Sequence, residues 1–150
     1  MTEAVLGVVL LLGSGLTAGV LFAVALSVVP ALWVMPAERY VYTHQLIGRH
    51  WDPVMPITVL STTAVAIALA VLTPTAASGW YIAGAVLLLC VSVVSHFCNV
   101  PLNRTVKTLD PTRIPDGWKD PRPVWRRWHL LRTALSILAL LVNTIAALCT

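Results

Sequence analysis

The chain has 150 residues, 58% of them hydrophobic and 11% charged, with a mean hydropathy of +0.84, a formal net charge of +4 and a pI near 9.3. This composition excludes an ordinary water-soluble domain and leaves little room for one beside membrane segments. It also argues against nucleic acid as a partner: all ten Lys and Arg lie in two short segments, Arg39–Arg49 and Arg104–Arg132, where anionic lipid headgroups account for them.

Residues 4–37, 53–103 and 133–150 carry no Asp, Glu, Lys or Arg, and a bilayer core needs about 20 apolar residues per helical crossing. The middle stretch holds two crossings, broken at Thr73–Trp80 by Pro74 and Gly79. The expectation is therefore an all-α, integral membrane four-helix bundle forming one domain over 1–150, with spans at about 5–35, 54–72, 80–99 and 125–147. Met1-Thr-Glu3 offers no positive n-region, so the first span is expected to be retained.

In the first span, Gly15, Gly19, Ala23, Ser27 and Ala31 recur every four residues and form a ridge of small side chains on which a neighbouring helix can pack. Pro30 is expected to bend this helix and Pro36 to end or kink it. Ala37–Trp51, with Tyr40, Tyr42 and Trp51, reads as a short interfacial helix. After the second and third spans, Pro101–Val124 reads as a Pro-rich loop, either a cap over the bundle with Trp118 packing it down or a solvated linker that spans the distance between helices. The first and third connections lie on one side and hold the basic residues, which makes that side cytoplasmic, the termini outside and the cell membrane the location. Cys90, Cys98 and Cys149 fall at different depths, and no pair looks placed for a disulfide.

The chemistry lies on the last two helices. Ser92, His96 and Asn99 sit at i, i+4 and i+7, with Asn103 beyond Pro101. Trp125, His129, Arg132, Ser136 and Asn143 share a face of the fourth helix. Ionisable groups inside spans are costly and tend to face a bundle's interior, an argument that applies to His96 and Arg132. All four histidines, His44, His50, His96 and His129, fall at the basic end, where neutral imidazoles from several segments are candidate ligands for zinc, copper or iron. No pair has the close spacing of a metal motif.

Gly15-Leu-Thr-Ala-Gly19-Val-Leu-Phe22-Ala in the first helix, Asn99-Val-Pro-Leu-Asn103 closing the third and Trp125-x-x-Trp128-His129-x-x-Arg132 opening the fourth resemble the anthrone oxygenase-like family of small four-helix membrane proteins. The chain departs from the family pattern at His129, where Asn is usual, and at His96. The resemblance implies oxidation of an anthrone-type or polyketide-like aromatic by O2 as co-substrate, either with no bound cofactor or with metal assistance through the histidines. It would make His96 or His129 the base and Arg132 the partner of the developing enolate. Asn99 and Asn103 would then donate hydrogen bonds to the same oxygens, and Trp125, Trp128, Ser92 and Ser136 would contact a small apolar substrate arriving from the membrane.

Other classes stay open. His96 and His129 at similar depth suit axial ligation of a haem in an electron-transfer subunit. A small transporter or a non-catalytic membrane subunit fits the size, although no acidic residue lies inside a span to couple protons. A homo-oligomer is among the arrangements left open.

Overall fold

The computed structural model describes residues 2–74 and 76–149, with the side chains of all of these except His50 and Asp52. Helices α1 (Thr2–Trp33), α2 (Ala37–Leu72), α3 (Ala77–Lys107) and α4 (Arg122–Leu148) make up almost all of it, and no strand occurs among the described residues. Each contains a segment long and apolar enough to cross a membrane, so the chain is a multi-pass membrane protein. Each helix packs on the next in sequence, and α4 closes the ring against α1.

The bundle has two unlike ends. At one, where α1 starts and α4 finishes, Leu10, Ala66, Leu69, Ala77, Tyr81 and Ala146 form a wholly buried cluster. At the other, basic end, Leu32, Tyr40, Val41 and Val106 are covered by Leu109, Ile114 and Trp118. The connection between α3 and α4 therefore folds back as a cap, with Trp118 packed down on it as its sequence suggests. Gly117 takes a φ of 81° there, a conformation a side chain would disfavour.

At this end α2, α3 and α4 run further than the expected spans, while α1 stops at Trp33, short of residue 35. Ala37–Trp51 is not a separate interfacial helix, because α2 continues through Pro53 and Pro56 for 36 residues. A mid-helix proline costs about 3 kcal/mol, and packing along the N-terminal half of α2 offsets it. There Tyr40, Val41 and His44 are buried, and Gln45 Nε2 donates to the carbonyls of Val106 (3.0 Å) and Leu109 (2.9 Å), tying α2 to the end of α3. Likewise Pro101 does not open a loop: α3 continues to Lys107, and the connection shrinks to residues 108–121.

A widened turn lets a helix pass through proline. In α1 the turn Val24–Val28 is π-helical and Val29 donates its N–H five residues back to Val24. In α3 the turn Ser95–Asn99 is π-helical and Val100 donates to Ser95. In both helices a Val-Pro pair follows, Val29-Pro30 and Val100-Pro101. The extra residue in each turn shifts the helical phase of everything beyond it.

The small-residue ridge of α1 is not a contact between helices. Gly19, Ala23, Ser27 and Ala31 are exposed, and a Cβ on Gly15 or Gly19 would meet nothing. The inward face of α1 is instead Leu10, Ser14, Thr17, Ala18 and Leu21, chosen by polar satisfaction as well as size, since Ser14 Oγ accepts from Asn143 Nδ2 at 3.0 Å. The glycines that permit close approach are Gly13, where a Cβ would collide with Thr62, and Gly84, where it would collide with Asn143.

Candidate functional site

At the basic end the four helices enclose a cavity of about 650 Å³, a volume suited to a drug-sized ligand. Its walls are largely aliphatic, with Val24 and Val28 of the first π turn, Met55 and Val59 of α2 and Val91 and Val100 of α3. Trp51, Leu60, Val93 and Phe97 line it while being 43%, 53%, 48% and 71% exposed, so it opens sideways between α2 and α3.

The polar side of the cavity belongs to α4. His129 is wholly buried, and its Nε2–H donates to the Leu21 carbonyl at 3.0 Å. Its Nδ1 then carries the lone pair, which accepts from Arg132 Nε at 3.2 Å and Nη2 at 2.9 Å. Arg132 Nη1 reaches Ser95 Oγ at 3.3 Å. Of a guanidinium's five N–H groups, three are thus engaged and two have no protein partner among the described residues. Nor does any carboxylate pair with Arg132 among those residues, where the ion pair is Arg122 with Asp120.

Next to this cation lies an aromatic column. The Trp125 ring stacks on His129 at 5.1 Å and 11°, and His44 meets Trp125 edge-on at 5.5 Å. Tyr40 lies 5.4 Å from His44 and 6.1 Å from Trp118 of the cap. Asn103 Oδ1 accepts from both Trp125 Nε1 (2.9 Å) and His44 Nε2 (3.1 Å). Since tryptophan can only donate, this fixes the amide's orientation and leaves its NH2 as the donor presented by a cavity-lining residue.

Arg122 holds the cap. Its Nη1 donates to the carbonyls of Leu32 (3.0 Å), Trp33 (3.2 Å) and Met35 (2.6 Å), satisfying the end of α1, while its guanidinium sits 4.9 Å over Tyr40 and pairs with Asp120 at 2.7 Å. Burial raises the Tyr40 phenol well above its ordinary value; Asp120 adds to the rise and Arg122 opposes it. Asp120 is lowered: burial pushes its carboxyl up, but hydrogen bonds and charge from Arg122 outweigh that.

Set against the sequence, α4 keeps its face. Trp125, His129, Ser136 and Asn143 are all buried and Arg132 is half-buried. Ser136, however, donates to the Thr133 carbonyl away from the cavity, and Trp128 is exposed and does not line it. The α3 stripe is split by the π turn: Ser92 and His96 line the cavity, with His96 exposed at its rim rather than buried in the bundle, whereas Asn99 is fully buried behind it. Asn99 Nδ2 donates to the Trp125 carbonyl at 3.3 Å and its Oδ1 has no partner. The histidines do not converge. Both His129 nitrogens are engaged, so a metal or haem iron there would have to displace Arg132 or the Leu21 carbonyl. His44 points a nitrogen at Asn103, the His50 side chain lies outside the described residues, and among those residues no three His, Cys, Asp or Glu gather as a metal site. Ser95 and the Leu21 carbonyl were not legible in the sequence, because the inward phase of α3 depends on the π turn and a backbone acceptor has no signature.

Fold and site together define a membrane helical bundle with a laterally open, apolar cavity whose polar side carries one oriented arginine. The chain belongs to the anthrone oxygenase family, whose profile matches residues 44–142, from His44 through the bulk of α4. No curated protein and no solved structure shows significant similarity to it.

Proposed function

We propose that this protein is an oxygenase of the cell membrane that oxidises a planar aromatic carbon acid of the anthrone type with O2. The observation that carries this reading is Arg132, a cation without a carboxylate partner among the described residues, oriented by a neutral imidazole in an apolar cavity. Such a group stabilises charge that develops on a ligand oxygen. The basic end, with its cap, faces the cytoplasm, as the distribution of Lys and Arg favours.

In the reaction, a base removes a proton from the benzylic CH2 of the ketone, and the electron pair moves onto the carbonyl oxygen as an enolate beside Arg132. Asn103 adds a hydrogen bond from its NH2. The enolate carbon gives its electrons to O2 and forms a C–O bond; protonation yields a hydroperoxide. Loss of the second proton from that carbon with cleavage of O–O releases water and leaves the new carbonyl. One ketone and one O2 become one quinone and one water.

His96, whose imidazole stands on the cavity rim within reach of a bound ligand, is the base in this scheme. His129 is unsuited to that role because its lone pair already holds Arg132. Trp125 supports the aromatic body of the substrate, which arrives through the side opening between α2 and α3. The test is quinone formation and O2 uptake by purified protein given anthrone, with metal content measured alongside. Acceleration over buffer that falls sharply in Arg132→Gln supports the reading; no acceleration, or an Arg132→Gln variant as fast as wild type, overturns it.

A further inference from the structure

Arg132 is held from two helices, and the second hold lies in the widened turn of α3. Its Nη1 donates at 3.3 Å to the Oγ of Ser95, the first residue of that turn. The hydroxyl's own proton is engaged elsewhere, since Ser95 Oγ donates to the Val91 carbonyl at 2.7 Å. Such an oxygen offers Arg132 only lone pairs, and a guanidinium has only N–H groups to give. The contact therefore has one polarity, running from Arg132 through Ser95 to Val91, and each bond in such a chain strengthens the next. His129 Nδ1 meets the guanidinium along a different edge, at Nε and Nη2. A single acceptor atom is a pivot about which a planar group can still turn. A second acceptor, on another helix, fixes the plane.

We infer that Ser95 is a positioning residue, whose hydroxyl holds the plane of Arg132 so that its two uncommitted N–H groups face the substrate oxygen. This assignment rests on the proposed reaction, which gives that oxygen its developing charge. Ser95 acts through Arg132 and not on the substrate itself, because with its proton on Val91 it has no donor left for an oxyanion. Stabilisation of developing charge depends on donors fixed before the charge appears. Loss of the hydroxyl is therefore felt in kcat more than in KM.

Ser95→Ala is expected to lower kcat for anthrone oxidation roughly three- to tenfold, the range of one ordinary hydrogen bond, with KM within about twofold of wild type. Ser95→Thr, which keeps a hydroxyl on the same carbon, recovers most of the loss. In an Arg132→Met background, where no N–H remains to orient, Ser95→Ala costs nothing further. Ser95→Ala as fast as wild type, a threonine no better than alanine, or an equal loss beside Arg132→Met overturns the assignment. The second readout needs no turnover. In magnetic resonance spectra of protein carrying isotope-labelled arginine, the Arg132 signals are identified by their disappearance in Arg132→Lys. The bond to Ser95 slows rotation about Cζ–Nη1, so the Nη1 hydrogens are expected to stay distinct in wild type and to merge in Ser95→Ala. Merged hydrogens in wild type, or distinct ones in the variant, also overturn the assignment. Failure of the oxygenase reading would appear elsewhere, as anthrone left unoxidised by wild-type protein whose Nη1 hydrogens behave as expected.

Discussion

His129 separates two accounts of the site, a base and a holder of Arg132. Replacing it with Phe keeps a planar ring to stack on Trp125, now at 5.1 Å, but removes the acceptor for Arg132 Nε and Nη2 and the donor to Leu21. From α4, Leu21 then keeps only the long bond of Thr133 Oγ1 at 3.4 Å. A hydrogen bond involving a charged group contributes about 1.5–3 kcal/mol. If one of the two that fix Arg132 is lost from the transition state, kcat falls roughly ten- to a hundredfold, with a smaller change in KM. Asn at position 129 restores a carbonyl acceptor without restoring a base, so His129→Asn should recover most of the loss. The assay is the pH dependence of kcat for quinone formation in wild type, His129→Phe and His129→Asn. Positioning predicts that both variants retain the acid limb of the profile. An inactive His129→Asn, or a limb missing from both variants, would show that the imidazole moves the proton itself and refute the reasoning.

Arg132→Gln should lower kcat by on the order of a hundredfold, the usual consequence of removing a donor to a developing oxyanion. Arg132→Lys should recover only part, because an ammonium cannot satisfy His129 Nδ1, Ser95 Oγ and substrate in the same fork; steady-state kinetics in detergent check both. Gly84→Ala should lower thermal stability by about 1–3 kcal/mol through overpacking against Asn143, and Gly19→Ala should leave it unchanged, as unfolding in detergent will show. Asp120, held low by Arg122, contributes stability to the cap above its unfolded pKa, and that contribution is lost as pH falls through the depressed folded value. Asp120→Asn should therefore make the cap protease-sensitive already at neutral pH and flatten its acid dependence; equal cleavage of both proteins at neutral pH would contradict this.

The number of helices and the inward face of α4 were readable from the sequence, because apolar length and a 3.6-residue period survive wherever a helix is regular. The α3 stripe was not. Ser92, His96 and Asn99 share a face only if no turn is widened between them, and the π turn sends His96 to the rim and Asn99 into the interior. The extent of α2 was hidden for a different reason: Pro53 and Pro56 are local stop signals, overruled by distant partners such as the Val106 and Leu109 carbonyls. On α1, residue size alone pointed to Gly19 and Ala23, whereas the hydroxyl of Ser14, needed by Asn143, decided which side turned inward.

The paired π turns bear on how such a chamber arises and is lost. Each amounts to one residue more than a regular helix would use, so deleting a single codon within 95–99 would restore the ordinary winding. The widened turn already absorbs the rotation of about a hundred degrees that one added residue brings, so Asn103 would keep its register with Trp125 and His44. What would change is the turn itself, where Val100 donates to Ser95 and Ser95 Oγ meets Arg132. The chamber is thus a property of residue count as much as residue type. Sequence comparisons aligned without gaps across this turn would pair the wrong positions.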